Sequence, residues 1–363
     1  MFNRLFRRTP SEYNFRITPA DIEIRVSSKE TLLQAALHQG VPFPYNCRAG
    51  GCGECKCRLV EGKVKELTDK SYLLSAEELK ENYILACQSI PKSDVVVEVT
   101  LEKGRPEHPI VETSGTITKL KPLTHDILHV AMGLDQPMTY TAGQYAEIIL
   151  PAELKPGAGE SRSYSFACAS SQDGRADQLD FFIRKVPGGA FTEWLFSQTK
   201  VGTKLHVRGP YGNFYLRPGT QPIICIAGGS GLAPIKAILE QAHQDKKSTR
   251  DLVFFFGTRT QADLYCLDEV EQIRRNWIGR FEFVPILSAE PENSTWQGRR
   301  GLITDHLQPV VGERIAQHQA YLCGPPPMID SCLVEFSRCG MDSSQIHFDK
   351  FLDRSHLVQR QTV

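Results

Sequence analysis

Four cysteines constrain this chain more than any other feature. Cys47, Cys52 and Cys55 fall within nine residues, and Cys87 follows after 31 more. The spacing C-x4-C-x2-C, with a distant fourth cysteine, is that of a plant-type [2Fe–2S] site. Such a cluster needs four thiolates, and three must come from one tight loop wrapped over it. Gly50, Gly51 and Gly53 let that backbone come close and take positive φ. They also leave amide N–H groups free to point at the cluster sulfurs. Cys87, in Leu85-Ala86-Cys87-Gln88, closes the cage from a separate loop. Zinc is the competing occupant, because four cysteines also hold Zn²⁺. Structural zinc usually shows paired C-x2-4-C knuckles, however, and the three-plus-one arrangement fits poorly. Cys57 makes the loop ambiguous by one residue. It reads as a small buried hydrophobe, as do Cys168, Cys225, Cys266, Cys332 and Cys339.

Eleven cysteines is an odd count, and their crowding into one loop points to metal or catalytic use in a reducing compartment. A cytoplasmic location is expected. The 363 residues suggest two or three domains. Lys+Arg and Asp+Glu are 42 each, so there is no basic excess of the kind a nucleic-acid binder carries. No apolar run approaches the roughly 18 residues of a membrane span. Met1 to Tyr13 holds Arg4, Arg7 and Arg8 without an apolar core behind them, so no secretory signal is expected. Phe2, Leu5 and Phe6 interleave with those arginines. The stretch reads either as a weak contact with an anionic membrane surface or as a plain soluble tail.

Three segments follow one another. The first, residues 12–102, opens with alternating stretches at 14–17 and 22–26 that read as a hairpin. Ser27 and Glu30 then fit a capping box for the helix bearing Leu32, Leu33, Ala36 and Leu37. Residues 103–109 are polar and Pro-containing, as in a linker. The second segment, 110–217, consists of short β-rich runs between Gly, Pro and Asp, which suggests an antiparallel barrel. The third, 218–352, alternates apolar runs with helical patterns. The runs lie at 223–227, 252–256, 281–287, 320–323 and 346–348; the helices at 233–244, 267–276, 301–308 and 328–338. That rhythm predicts a parallel sheet with crossover helices.

Two motifs carry chemistry in the second segment. Arg162-Ser163-Tyr164-Ser165 opens a strand, so that alternate side chains share a face. Arg162 can neutralise a pyrophosphate. Tyr164 can lie against a flat isoalloxazine ring. Ser165 can hydrogen-bond flavin N5, the atom that accepts hydride. Gly188-Gly189-Ala190-Phe191-Thr192 opens a helical run at 193–196, and glycines before a helix N-terminus suit a diphosphate. Taken singly, Tyr164 reads equally as a core aromatic and Arg162 as a surface ion pair.

In the third segment a strand runs into Gly228-Gly229-Ser230-Gly231 and then a helix with Pro234 in its first turn. This is a dinucleotide pyrophosphate site in outline, though not the G-x-G-x-x-G fingerprint. The second strand ends in Gly257-Thr258-Arg259, with Asp263 beyond. The fourth ends in Cys323-Gly324-Pro325-Pro326. Strand carboxyl ends are where open α/β sheets bind ligands, so three of them converge on one crevice. Cys323 reads as packing beside the nicotinamide C4, against the alternative of a plain buried thiol. Asp263 can bond a ribose hydroxyl and repel a 2′-phosphate, whereas Arg259 can attract one.

Arg162-Ser-Tyr-Ser, the turn from Gly228 through Pro234, and Cys323-Gly-Pro-Pro326 together resemble the ferredoxin–NADP⁺ reductase superfamily. The Cys47 loop ahead of them resembles the class with an N-terminal plant-type ferredoxin domain, the reductases of bacterial multicomponent oxygenases. The likeness runs from about residue 13 to 351. It is most specific in 263–269 (DLYCLDE) and 296–301 (WQGRRG). It implies a β-grasp α+β ferredoxin domain, an antiparallel flavin barrel and an α/β nucleotide domain. It implies FAD, a [2Fe–2S] cluster and NADH, with an oxygenase component as the acceptor. It carries Arg162, Tyr164, Ser165 and Thr192 over as flavin contacts, and 228–231 with 323–326 as nicotinamide contacts. Phe351 is implied as an aromatic near the flavin, although Asp349-Lys350-Phe351 departs from the usual Glu-Arg-Phe or Asp-Arg-Phe and a packing role is as consistent. Reductases of desaturases or deoxysugar dehydratases share this architecture. A non-enzymatic redox sensor would need to have lost the Gly228 and Cys323 motifs, which are intact.

Overall fold

The computed structural model of the chain describes residues 11–101, 104, 106–151, 161–171 and 173–352. The arginine- and phenylalanine-bearing amino terminus lies outside the described residues, so the membrane-contact reading has no structural counterpart. Among the described residues no helix is long and apolar enough to cross a membrane. The chain falls into two compact units, divided between Pro106 and Glu107.

The first unit is a five-stranded mixed sheet over one helix. Its elements are β1 (Glu12–Thr18), β2 (Ile22–Ser27), α1 (Leu32–His38), β3 (Lys56–Glu61), β4 (Val64–Glu66), α2 (Ala76–Lys80), β5 (Tyr83–Leu85), β6 (Ser89–Pro91) and β7 (Val95–Glu98). The sheet order is β2-β1-β7-β3-β5, with β1 and β7 parallel, and β4 pairs with β6 alongside. Alternation buries Tyr13, Phe15 and Ile17 from β1, and α1 buries Leu32, Leu33 and Ala36. The cap expected at Ser27 is corrected. Ser27 still pairs with Glu12 in the hairpin, so its backbone is extended. Thr31 caps α1 instead: its hydroxyl accepts from Gln34 N at 3.2 Å, and Gln34 Oε1 accepts from Thr31 N at 2.9 Å.

The second unit begins with a barrel: β8 (Val111–Pro122), β9 (Ile127–Thr139), β10 (Tyr145–Ile149), β11 (Ser161–Ser165), β12 (Arg175–Arg184), α3 (Ala190–Ser197) and β13 (Lys204–Tyr211). The strands run antiparallel in the order β11-β10-β13-β8-β9-β12. A bridge between Phe166 and Phe181 joins the two end strands and closes the barrel. Inside lie Ile117, Val130, Met132, Ile148, Phe166, Phe181 and Val207.

The same unit continues as β14 (Ile223–Gly228), α4 (Leu232–Gln244), β15 (Leu252–Thr258), α5 (Leu267–Asn276), β16 (Phe281–Leu287), β17 (Arg299–Arg300), α6 (Thr304–Val311), β18 (Gln319–Gly324), α7 (Pro326–Arg338) and β19 (Ile346–Lys350). The sheet is parallel throughout, in the order β17-β16-β15-β14-β18-β19. The helix expected at 301–308 starts three residues later, because Gly301 sits at φ 98° and Asp305 Oδ2 accepts from Leu302 N at 2.9 Å. β14 lies between the two directions of strand progression, so its carboxyl end and that of β18 flank the switch point of the sheet. One apolar cluster joins Ile223, Cys225 and Ala227 of β14 and the α4 face to Ile127, Phe182 and Phe214 of the barrel. Barrel and parallel sheet therefore share a core.

Candidate redox and nucleotide site

The cluster loop places its sulfurs in two pairs. The Cys47 and Cys52 thiols are hydrogen-bonded to each other, as are those of Cys55 and Cys87. Among the described residues no three His, Cys, Asp or Glu side chains converge as one metal ion's ligands. Two pairs match a binuclear cluster with two thiolates per iron; they do not match one tetrahedral zinc ion. The amides of Ala49 and Gly51 donate to Cys47 Sγ at 3.4 and 3.3 Å. The Cys52 thiol, these amides and the Cys52 amide outweigh burial and bring the Cys47 thiol down to about 6. Cys52 and Cys55 are pushed the other way, by their paired thiols first and by burial second. Gly50 and Gly53 take positive φ, but Gly51 does not; Arg48 is the third residue of the loop to do so, at 56°. A Cβ on Gly50 would meet Gln88 Cγ at 2.9 Å, so the loop is pressed against the segment that brings in Cys87. The Tyr72 hydroxyl also donates to Gly50 O. Cys57 is fully buried beside the loop, and burial pushes its thiol up. Cys168, Cys266 and Cys339 are only half-buried, unlike Cys225 and Cys332.

In the barrel, β11 runs against β10, with Arg162 opposite Ile148 and Tyr164 opposite Ala146. Arg162 and Tyr164 therefore share one face of the strand, while Ser163 and Ser165 occupy the other. The Tyr164 ring is half-exposed, 5.8 Å from Phe191 on α3. Arg162 Nη1 donates to Ser161 O at 2.8 Å. Gly188 turns the chain at φ 70° and Gly189 caps α3 without a side-chain bond. The Thr192 hydroxyl is bonded within the turn. It accepts from Val186 N at 3.0 Å and lies 3.2 Å from Val186 O and Gly189 O, so it ties down the glycine turn.

In the parallel sheet, the turns after β14 and β18 are pressed together. A Cβ on Gly231 would lie 2.2 Å from Cys323 O, and one on Gly228 2.6 Å from Met328 Sδ and 2.8 Å from Pro325 Cδ. Gly324 adopts φ 147°, and a Cβ there would crowd the Gly228 backbone at 3.0 Å. Ser230 is buried between them. Strand register aligns Gly228 with Gly257, Cys323 with Asp349 and Gly324 with Lys350. Phe351 N donates to Gly324 O at 2.9 Å, which fixes Phe351 at this edge. Thr258 is buried and Arg259 exposed at the end of β15. Asp263 is tied into its own loop. Its Oδ2 accepts from Thr260 N and Oγ1 at 2.8 and 2.9 Å, and its Oδ1 lies 3.3 Å from His125 Nδ1. Its carboxylate holds the loop beyond β15 in shape.

The two halves meet at Ser165. Its Oγ lies 3.5 Å from Asp349 Oδ2, at the outer limit of a hydrogen bond. Asp349 is buried next to Cys323 on the adjacent strand, and Cys323 is wholly buried. Burial first, and Asp349 second, keep the Cys323 thiol protonated. Sequence reading treated Asp349 only as a neighbour of Phe351. It also missed Tyr265, whose hydroxyl donates to Gly229 O at 2.9 Å while its ring packs edge-on against Phe182 of the barrel.

Three family descriptions match the chain. These are 2Fe-2S iron-sulfur cluster binding domain over residues 15–92, oxidoreductase FAD-binding domain over 114–215 and oxidoreductase NAD-binding domain over 225–333. The chain is 40% identical over 345 residues to the xylene/toluene monooxygenase electron transfer component XylA of Pseudomonas putida, covering 95% of both. It is 35% identical to the phenol 2-monooxygenase reductase component DmpP of Pseudomonas sp. strain CF600, covering 93% of this chain and 94% of that protein. Among solved structures, the Amycolatopsis cytochrome P450 reductase GcoB superposes with a TM-score of 0.79 at 34% identity, over 93% of this chain and 98% of that one. The ferredoxin reductase of carbazole 1,9a-dioxygenase gives 0.73 at 33% identity, over 94% and 98%. This chain belongs to the family of NAD-dependent flavin and iron–sulfur reductases in which a [2Fe–2S] domain precedes an FAD-binding barrel and an NAD-binding domain.

Proposed function

We propose that this protein is the NADH-dependent reductase component of a multicomponent oxygenase, working in the cytoplasm and delivering electrons to a non-haem iron hydroxylase component. The observation that carries this reading is the junction of Ser165, Asp349 and Cys323, in a chain that also holds the paired-thiol loop. When bound, FAD takes hydride from NADH, and the cluster lets the pair leave one electron at a time.

The residues supply place and polarity. Arg162 faces the diphosphate of the flavin, together with the turn at Gly188 and Gly189 that Thr192 holds in shape. Tyr164 would lie against the ring and Ser165 would offer its hydroxyl to the hydride-accepting atom, with Ser163 beside them on the strand. Phe351, held at the sheet edge, would be the aromatic near the ring. Gly228, Gly229, Ser230 and Gly231 receive the NADH pyrophosphate at the start of α4. Gly324, Pro325 and Pro326 leave room beside Cys323 for the nicotinamide, with Thr258 and Arg259 toward the adenosine. Cys47, Cys52, Cys55 and Cys87 hold the cluster. The like position of oxygenase reductases among the relatives supports the choice of acceptor over a desaturase or a dehydratase.

Replacing Cys52 with Ala separates the two halves of this reading. NADH oxidation by a two-electron dye persists, whereas reduction of a one-electron acceptor such as cytochrome c is lost. Retention of both activities contradicts the reading.

A further inference from the structure

We propose that Lys236 and Glu240 are positioning residues for hydride transfer, clamping the strand end that carries Ser165 to the helix that begins at the nucleotide turn. The proposal rests on the reading of the site given above. Lys236 lies on α4, five residues beyond Gly231, and is 9% exposed. Its Nζ donates to Ala167 O at 3.2 Å and sits 2.5 Å from Glu240 Oε1. The other oxygen, Glu240 Oε2, accepts from Ala169 N at 3.1 Å. Gln241 Oε1 accepts from Ala142 N at 2.7 Å, one residue further along the same helix. The backbone leaving β11 directly after Ser165 is therefore gripped at both 167 and 169 by a single ion pair.

Packing alone does not call for a lysine here. Burial opposes the charge, and an apolar side chain of similar size would fill the space at less cost. The ammonium is kept because Glu240 outweighs that burial and holds it above its ordinary range. A charge-assisted bond to a carbonyl fixes position more tightly than apolar contact does. The turn that precedes α4 is anchored too: Tyr265 holds Gly229 O and rests on Phe182. One helix thus sets the distance between the NADH pyrophosphate turn and the Ser165 strand end. A displacement of about 1 Å at a reacting centre can cost about 10²-fold in rate.

The test is anaerobic stopped-flow reduction of the flavin by NADH in full-length holoprotein, comparing wild type, Lys236→Met, Lys236→Arg and Glu240→Gln. The expected result for Lys236→Met is a limiting rate about 10-fold or more below wild type, with NADH affinity unchanged within about twofold. Lys236→Arg restores most of the rate. A Lys236→Met protein with a normal limiting rate, even one that melts earlier, overturns the proposal and leaves the pair as structural glue. So does a loss expressed wholly as weaker NADH binding. If Lys236→Met fails to fold or to take up flavin, Glu240→Gln decides: a limiting rate at least about threefold lower supports the clamp, and an unchanged one overturns it. A wild-type flavin that NADH does not reduce would overturn the reductase reading itself, and the clamp with it.

Discussion

Ser165 ends a barrel strand, yet its hydroxyl faces Asp349 on a strand of the other fold. A single side chain thus reports on how barrel and sheet are held. Replacing Ser165 with Ala leaves the fold intact, because the hydroxyl makes one long bond, but it removes the group that the proposed function assigns to the hydride acceptor. The expected outcome is a fall of about 10- to 100-fold in flavin reduction at saturating NADH, with affinity changed by less than about threefold. An unchanged rate in anaerobic stopped-flow would remove Ser165 from the chemistry. Several such candidates can be named from the sequence because their expected chemistry is local. Cys47, Cys52 and Cys55 must come from one loop, and Arg162, Tyr164 and Ser165 from one strand. Lys236 was not legible. It sits among Ala233, Ile235, Ala237 and Ile238, and its carbonyl partner is 69 residues away.

At the scale of elements, the parallel sheet was readable from its rhythm. The central strands β14 and β18 are short runs buried on both faces, and the helices between strands have their own periodicity. The runs at 281–287 and 267–276 coincide with β16 and α5. Boundaries slipped where a competing local bond won, as at Thr31 over Ser27 and at Asp305 beyond Gly301. The packing of one glycine turn on the other was not readable, since the contact is made only once β14 and β18 are neighbours. It carries its own prediction. In Gly231→Ala the new Cβ meets the Cys323 carbonyl, which is backbone and cannot move aside. A loss of about 3 kcal/mol is expected, at the upper end of overpacking penalties. That corresponds to a melting transition lower by roughly 6–12 °C for a unit of this size. An unaltered transition in calorimetry would mean that the two turns are not packed as described.

For the molecule as a whole, the division near Pro106 separates two kinds of electron chemistry. The second unit has a shared core between barrel and sheet, so that flavin and nucleotide sites are built as one body. The first unit has its own sheet and its own paired-thiol loop. A hydride brings two electrons and a [2Fe–2S] cluster takes one, so a chain with both sites can convert one currency into the other. The most direct measurement is an anaerobic titration of the purified full-length protein with NADH, followed through its visible spectrum. The account predicts that flavin and iron–sulfur absorbance are both present and that both bleach. A flavin band that bleaches with no iron–sulfur absorbance beside it, or a cluster band that NADH leaves untouched, would contradict it.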